Sequence, residues 1–326
     1  MNYENLTRKK RALDGFRPLA PALARNLEDW FTIELTYTSN AIEGNRLTRR
    51  ETAVVIEKGL TVGGKSLKEH LEATNHAGAL KFVRSLIRKK PWRISGQDIL
   101  DIHGLILRGI DDENAGRFRN VPVRISGSAV VMPNPRKVPE LMEDFLAWLG
   151  AKHDLHPVAL AGEAHYRLVS IHPFTDGNGR TARLLMNLML MQQGYPPAII
   201  RLRDRLAYIG ALETAQLGGS RTGYDQIIAK ATERSLDIYL QAAKGETATR
   251  EADTERLMKI GELARAAGES VSAIRYWTQQ GLLRPAHATP SGYQMFAPDM
   301  LARCARIKQL QAERLTLQEI KARLEA

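Results

Sequence analysis

Residues 172–183 read His-Pro-Phe-Thr-Asp-Gly-Asn-Gly-Arg-Thr-Ala-Arg, and apolar, helix-forming sequence lies on both sides of them. The two glycines let the backbone turn tightly, and the residues that follow have the composition of a helix. A helix N-terminus that opens on such a turn binds anions, because unpaired N–H groups and the positive end of the helix dipole both point at the ligand. The stretch therefore predicts a phosphate site at the start of a helix.

Charged side chains within the same stretch supply the other groups that a nucleotide site needs. Arg180 and Arg183 lie three residues apart, which places them on one helical face, where they can clamp different phosphates. Asp176 offers an oxygen ligand to a hard cation that bridges those phosphates. His172 is the natural general base, since an unperturbed imidazole titrates near neutrality.

These residues resemble the signature of the Fic family, His-x-Phe-x-Asp/Glu-Gly-Asn-Gly-Arg-x-x-Arg, and every fixed position is met. The resemblance implies that His172 deprotonates a Tyr, Ser or Thr hydroxyl of a target protein or of the chain itself, and that Asp176 holds Mg²⁺. The hydroxyl would attack the α-phosphorus of ATP, so that AMP is transferred and pyrophosphate leaves. The residues implied to hold the ATP phosphates are Gly177, Asn178, Gly179, Arg180 and Arg183.

Gly179 bears on the choice of chemistry. The related Doc toxins carry a lysine at this position of the signature and act as kinases, whereas this sequence has glycine. The resemblance therefore favours AMP transfer.

A second stretch, Ser39-Asn-Ala-Ile-Glu-Gly44, resembles the inhibitory motif of Fic proteins, Ser/Thr-x-x-x-Glu-Gly/Asn. Apolar spacing predicts that it ends a helix at about 26–44, within an N-terminal helical region 1–90. In the family the glutamate, here Glu43, pairs with the second arginine of the signature, here Arg183, and prevents productive placement of the γ-phosphate. The alternative is that Glu43 is a solvated residue at a helix end.

The predicted catalytic core, 91–245, contains one clear β pattern. Two short β-branched runs joined by a glycine-containing turn predict a hairpin at about 121–132, which in Fic proteins forms a flap that aligns a target segment. His165 lies seven residues before His172, so it is either a neighbour of the site or a packed histidine. Tyr208, Leu212 and Ala215 share a helical face, which is either core or part of the adenine pocket, as in the family.

The remaining sequence predicts a linker and a second domain. Residues 246–256 are charged or small and lack aromatic residues, which is typical of a linker. Residues 257–326 read as a helix-turn-helix with a recognition helix at 271–280 and a wing at 289–296. They resemble the DNA-binding domain of MerR-type regulators, including an Ile-Arg-Tyr-aromatic run at 274–277 and Gly-Leu-Leu-x-Pro at 281–285. Gln294 stands where the wing arginine is common, which puts one phosphate contact in doubt.

DNA is the expected partner of residues 257–326, and protein contact is the alternative. Residues 255–326 hold eleven Lys and Arg against seven Asp and Glu, a net charge of +4, which is compatible with binding DNA. A palindromic operator would require a homodimer formed through the catalytic part.

Composition sets the broad class of the protein. The 326 residues are 44% hydrophobic, enough for two or three globular domains, and the net charge of +11 favours phosphate-rich partners. The single cysteine, Cys304, excludes an internal disulfide and fits a reducing compartment. No apolar stretch approaches the roughly 20 residues of a membrane span, so a cytoplasmic protein is expected.

The sequence thus predicts a mostly α protein, with a Fic-type helical bundle, a β-hairpin flap and a small winged helix-turn-helix domain. The predicted function is Mg²⁺-dependent protein adenylylation from ATP, held off by Glu43. Two alternatives stay open. In the first, the chain is a DNA-binding transcriptional regulator or autoregulator whose Fic module senses nucleotide or is mainly inhibited. In the second, the chain also removes AMP, with Glu43 positioning the attacking water.

Overall fold

The structure, a computed structural model, describes residues 3–87, 93–245, 257–288, 294–297, 299–313 and 315–325. It divides into two compact units, Met1–Ala248 and Thr249–Ala326. The predicted regions 1–90 and 91–245 lie in the first unit, and the predicted linker 246–256 lies outside the described residues. Within the described ranges, no helix combines the length and the apolar composition that crossing a membrane requires.

The first unit is a helical bundle, which confirms the predicted mostly α fold. Short 3₁₀ turns lie at Pro135–Lys137 and Leu202–Asp204. Its helices are α1 (Glu4–Asp14), α2 (Pro21–Ile42), α3 (Arg49–Lys58), α4 (Leu67–Ile87), α5 (Gly96–Leu107), α6 (Val138–Gly150), α7 (Pro157–Ile171), α8 (Asn178–Gln192), α9 (Arg205–Gln216) and α10 (Thr222–Ala243).

Helix α8 is the centre of this bundle. Nearly every side chain from Asn178 to Leu190 is buried, and its apolar residues belong to three clusters that surround it on different sides. A fully buried Leu or Met side chain contributes about 1.5–3 kcal/mol. The helix that carries the predicted phosphate site is therefore fixed by packing all around it.

The predicted hairpin at 121–132 is less regular than expected. Only Arg124 and Val131 form a β-bridge, across a turn in which Gly127 has a φ of 79°. Pro122 and Pro133 lack backbone donors, and Val131 is 90% exposed, so it adds no packing. A two-stranded hairpin is marginal by itself, and residues 121–133, called the flap below, form a loop closed by one bridge.

The second unit has the predicted helix-turn-helix architecture. Helices α11 (Ile260–Ala267) and α12 (Val271–Gln279) are joined by a turn in which Gly268 is left-handed and Ser270 caps α12. Helices α13 (Asp299–Ala312) and α14 (Leu317–Glu325) complete the unit. Its apolar core includes Ile274, Trp277, Phe296 and Ile307, so the face of α12 that carries the first two of these is buried.

A small antiparallel sheet lies in the same unit. Its strands are β1 (Met258–Lys259), β2 (His287–Ala288) and β3 (Gln294–Phe296), in the order β1-β3-β2. Met258 pairs with Phe296 and His287 pairs with Met295. Of the predicted wing at 289–296, residues 294–296 form β3, and residues 289–293 lie outside the described part of the chain.

Candidate nucleotide site

His172 lies at the junction of α7 and the signature loop. It caps α7 in the left-handed conformation, with a φ of 51°, and its N–H donates to the Leu168 carbonyl at 3.0 Å. A left-handed non-glycine residue costs about 1–2 kcal/mol, so the surrounding structure must hold it in place. The imidazole Nδ1 is 3.3 Å from the Val169 carbonyl oxygen, which assigns the proton to Nδ1 and leaves Nε2 as the basic nitrogen.

The surroundings of His172 favour its neutral form. Burial is the main cause that lowers its pKa below the ordinary value, and the charge of Arg119 acts in the same direction. The Val169 carbonyl, Glu43 and Asp176 oppose this shift without cancelling it. A neutral imidazole with a free Nε2 is the state that can accept a proton near neutral pH.

The side chain of Asn178 closes the signature loop. Its Nδ2 donates to the Phe174 carbonyl at 2.9 Å, and its Oδ1 accepts from the Phe174 N–H at 3.0 Å. Both ends of the amide are therefore bonded within the loop. Of the predicted phosphate ligands, Asn178 can offer a phosphate its backbone N–H, because its side chain is already engaged.

His103, on α5, supports the loop from below and was not singled out by the sequence. Its ring stacks on Phe174 with centroids 3.6 Å apart, its Nε2 donates to the Asp176 carbonyl at 3.0 Å, and its Nδ1 accepts from the Gly116 N–H at 3.0 Å. Burial lowers its pKa to about 4. A Cβ on Gly177 would come within 3.3 Å of this ring, so glycine is needed there for space as well as for its φ of 75°.

Asp176 presents a carboxylate that suits a cation. Its side chain is 53% exposed, and its Oδ1 accepts from the Gly177 N–H at 2.6 Å and from Arg180 at 3.3 Å. Burial works to raise its pKa, but Arg180 and the Gly177 N–H lower the pKa below the usual value. Oδ2 has no partner among the described residues. One carboxylate fits Mg²⁺, which binds proteins through one or two carboxylates together with substrate phosphates.

Arg180 is 2% exposed and lies between two carboxylates. Its Nη1 donates to Glu72 on α4 at 3.2 Å, and its Nη2 donates to Asp176. Its Nε has no hydrogen-bond partner in the described part of the chain. Glu72 also accepts from Asn45 at 2.8 Å, so this carboxylate joins the turn after α2 to the signature helix. The sequence did not single out Glu72.

Arg183 faces α2 instead. Its Nε donates to Ser39 Oγ at 3.0 Å, and its Nη2 donates to the Ser39 carbonyl at 2.9 Å and to Glu43 Oε1 at 2.7 Å. Burial opposes the charged form, but Glu43 raises the pKa of Arg183 above its ordinary value. The structure thus places Glu43 against Arg183, the pair that the resemblance implied, and adds Ser39 as a second partner of the same guanidinium.

Gly179 lies directly beneath this ion pair. A Cβ at this position would collide with Glu43 Oε1 and lie 2.9 Å from Arg183 Nη1. Any larger residue would have to displace the pair. The missing side chain therefore allows Glu43 to approach the first turn of α8.

A buried network supports Arg183 from the opposite side. Tyr208 donates to His165 Nε2 at 2.7 Å, His165 Nδ1 lies 2.8 Å from the Tyr224 hydroxyl, and Tyr224 donates to the Gly162 carbonyl at 2.8 Å. Burial lowers the pKa of His165 to about 3 and raises that of Tyr208 to about 12. The charge of Arg183 acts to lower the pKa of each group. His165 is fully buried and packed, and through Tyr208 it also neighbours Arg183, while Tyr208 and Ala215 are buried in the core.

The flap is held at its tip by α9. Glu213 Oε1 accepts from Ser128 Oγ and from the Ala129 N–H, each at 2.8 Å. These two bonds lower the pKa of Glu213 below its usual value. The flap therefore has a polar attachment that does not depend on strand pairing.

Comparison with known proteins agrees with this geometry. Residues 93–190 match the model of the Fic/DOC family, and residues 258–326 match that of the MerR HTH family regulatory proteins. A protein adenylyltransferase Fic of Culex quinquefasciatus is 39% identical over 242 residues, which cover 74% of this chain and 48% of the relative. The corresponding protein of Nematostella vectensis is 44% identical over 206 residues, which cover 63% and 48%.

Solved structures have the same fold. Fic-1 from C. elegans has a TM-score of 0.68 and 34% identity, and the match covers 75% of this chain and 73% of that one. A Fic-domain signaling protein from Bacteroides thetaiotaomicron has a TM-score of 0.69 and 29% identity, covering 74% and 99%. The chain spans about half the length of the curated relatives it matches. On its sequence identity and its fold, the chain belongs to the Fic family.

Proposed function

We propose that this chain transfers AMP from ATP to a Tyr, Ser or Thr hydroxyl of a protein, and that Glu43 inhibits the transfer. The observation that carries the proposal is the arrangement of the signature helix. A basic Nε2 on His172, an exposed carboxylate on Asp176 and a buried helix N-terminus lie together in one loop. The similarity to proteins named protein adenylyltransferase supports the choice of AMP transfer.

In the proposed reaction, Nε2 of His172 takes the proton of the hydroxyl as its oxygen attacks the α-phosphorus. The bond from that phosphorus to the oxygen of the β-phosphate breaks, and pyrophosphate leaves. The first turn of α8 has N–H groups without intrahelical acceptors, and these stabilise the charge on the phosphates. Asp176 would hold Mg²⁺, which neutralises phosphate charge when bound.

The inhibited state follows from the partners of Arg183. Its Nε and Nη2 are directed at Ser39 and Glu43, so a γ-phosphate has to compete with a carboxylate for the same guanidinium. ATP can then bind in an arrangement that does not present the α-phosphorus to the hydroxyl. Displacement of the end of α2 would free Arg183.

Mass spectrometry of the full chain after incubation with ATP and Mg²⁺, alone and with a cell extract, tests the proposed activity. The expected result is a mass increase of one AMP on the chain or on an extract protein when Glu43→Gly is used. The same increase should be absent with Glu43→Gly/His172→Ala. A His172-independent increase, or none in any sample, would refute the proposal.

We further propose that residues 257–326 bind DNA, for which the observation is the exposed face of α12. Ser272, Arg275 and Tyr276 are exposed there, the last at 45%, while the opposite face packs into the core. The net charge of +4 over residues 255–326 and the match to MerR regulators support this role. Binding to a palindromic site would be accompanied by dimerisation of the chain.

Fluorescence anisotropy with DNA from the region upstream of the gene, measured over a salt series, tests DNA binding. Replacing a phosphate- or base-contacting arginine costs about 1–3 kcal/mol, so Arg275→Ala should weaken binding by about 5- to 150-fold. Lys244→Ala, a change in the first unit, is the control. Equal affinity for Arg275→Ala and the parent chain, or binding that salt does not weaken, would count against DNA and favour a protein partner.

A further inference from the structure

Arg119 is a buried cation next to the proposed site that the mechanism does not use. Its side chain is 3% exposed, and burial lowers its pKa below the ordinary value. No carboxylate pairs with it in the described ranges. A buried charge without a counterion is costly, so its bonds to neutral groups have to compensate.

Those bonds all go to backbone carbonyls. Nε donates to the carbonyl of His172 at 2.7 Å, Nη1 to that of Val121 at 3.1 Å and Nη2 to that of Pro133 at 2.6 Å. The Arg119 N–H also donates to the Pro173 carbonyl at 2.9 Å. Each nitrogen of the guanidinium therefore binds a different segment of chain.

The three segments are the two ends of the flap and the backbone of His172. Val121 begins the flap and Pro133 ends it, and only one β-bridge lies between them. A single bridge does not fix the orientation of the flap relative to the helices. The Arg119 guanidinium, by binding both ends, fixes the distance between them. A lysine ammonium is a point charge that cannot hold three carbonyls in this planar arrangement.

His172 is the residue that most needs such support. Its left-handed φ of 51° is unfavourable, and its N–H and Nδ1 are bonded to α7. The bond from Arg119 holds the carbonyl of the same residue. The two peptide groups that flank His172 are thus restrained by different partners, the N–H by α7 and the carbonyl by Arg119.

We propose that Arg119 is a positioning residue that fixes the flap and His172 as one unit, so that a hydroxyl held along the flap meets Nε2. The proposal rests on the proposed function, because it takes His172 as the base. Proton transfer needs the hydroxyl within about 2.6–3.2 Å of Nε2. Misplacement by about 1 Å costs roughly 100-fold in rate.

The test uses the full chain with Glu43→Gly, to which either Arg119→Lys or Arg119→Met is added. Arg119→Lys keeps the charge and loses the fork, whereas Arg119→Met keeps much of the volume and loses both. We expect kcat for AMP transfer to fall about 100-fold in each variant, while KM for ATP stays within about threefold. Thermal unfolding shows whether both variants are folded at the assay temperature. If Arg119→Met is unfolded there, Arg119→Lys alone is sufficient for the test.

Hydrogen–deuterium exchange supplies a readout that needs neither ATP nor a target. In both Arg119 variants, the amides of residues 121–132 other than Pro122 and those of His172 and Phe174 should exchange faster together, since proline has no amide hydrogen. Glu213→Ala is the matched control, because it releases the tip of the flap and leaves its ends attached. It should raise exchange at 126–130 and leave 172–174 unchanged.

The outcomes separate this proposal from the proposed function. If the Glu43→Gly chain transfers no AMP, the proposed function fails, and the exchange pattern still tests whether the flap and His172 are joined. Unchanged exchange at 172–174 in Arg119→Lys overturns the proposal. Faster exchange with an unchanged kcat overturns it as well, since the connection that Arg119 makes between the flap and His172 would then have no part in the reaction.

Discussion

Removing the carboxylate of Glu43 should activate the chain. Glu43 Oε1 lies 2.7 Å from Nη2 of Arg183, and the rest of the guanidinium stays bonded to Ser39. Glu43→Gly removes this partner completely, and glycine is tolerated at the end of a helix. Glu43→Gln keeps the size of the side chain and replaces the ion pair by a hydrogen bond from the charged Arg183 to a neutral amide oxygen.

The expected size of the effect follows from this contact. A hydrogen bond to a charged group contributes about 1.5–3 kcal/mol. The Glu43 side chain is 37% exposed, so screening by water favours the lower end of this range. Since about 1.4 kcal/mol corresponds to a tenfold change, we expect roughly tenfold faster AMP transfer for Glu43→Gly. The increase for Glu43→Gln should be smaller, because a charge-assisted hydrogen bond to Arg183 remains.

The assay is the initial rate of incorporation from ATP labelled at the α-phosphate, at saturating ATP and Mg²⁺. Glu28→Gln serves as the control, because Glu28 lies on the same helix, is half exposed and pairs with Arg84 away from the site. Its rate should equal that of the parent chain. Equal rates in the parent, Glu43→Gly and Glu43→Gln chains, with labelling that still requires His172, would refute the inhibitory role of this contact.

Two further predictions concern stability. Tyr208→Phe leaves the buried Nε2 of His165 without a donor and should lower the free energy of unfolding by about 1–3 kcal/mol. Tyr276→Phe, at an exposed site, should change it by less than about 0.5 kcal/mol. Urea titration measures both free energies, and equal effects would contradict the buried network. His76, on α4, is buried beside Thr36. Burial is the main cause that lowers the pKa values of His76, His103 and His165 to about 3, 4 and 3. In the unfolded chain these imidazoles bind protons near pH 6.5, whereas in the folded chain they stay neutral. Their contribution to the free energy of unfolding is therefore fully present above about pH 6.5. It falls as the pH is lowered toward the pKa values of the folded state, by about 2 kcal/mol for each histidine between pH 7 and 5. A urea midpoint that does not change over this range would show that these groups are not buried as neutral histidines.

The sequence determined the parts of the site that are local along the chain. The loop and first turn of α8 follow from residues 172–183 alone, because glycine conformation and helix N-terminal chemistry depend on near neighbours. The pairing of Glu43 with Arg183 crosses 140 residues, and it was predicted from a resemblance rather than from spacing. The helix-turn-helix was predictable because its turns and apolar periods are short-range.

Tertiary structure alone decided which distant groups hold that loop in place. His103, Glu72 and Arg119 lie 73, 108 and 53 residues from the atoms they bind around the signature. Nothing in their local sequence marks them, because a buried polar group is defined by the partners that packing brings to it. The flap shows the converse. Its β-branched pattern predicted a hairpin, but Pro122 and Pro133 lack the backbone donors that a ladder needs. What remains is a loop with one bridge, and Arg119 and Glu213 hold its ends and its tip.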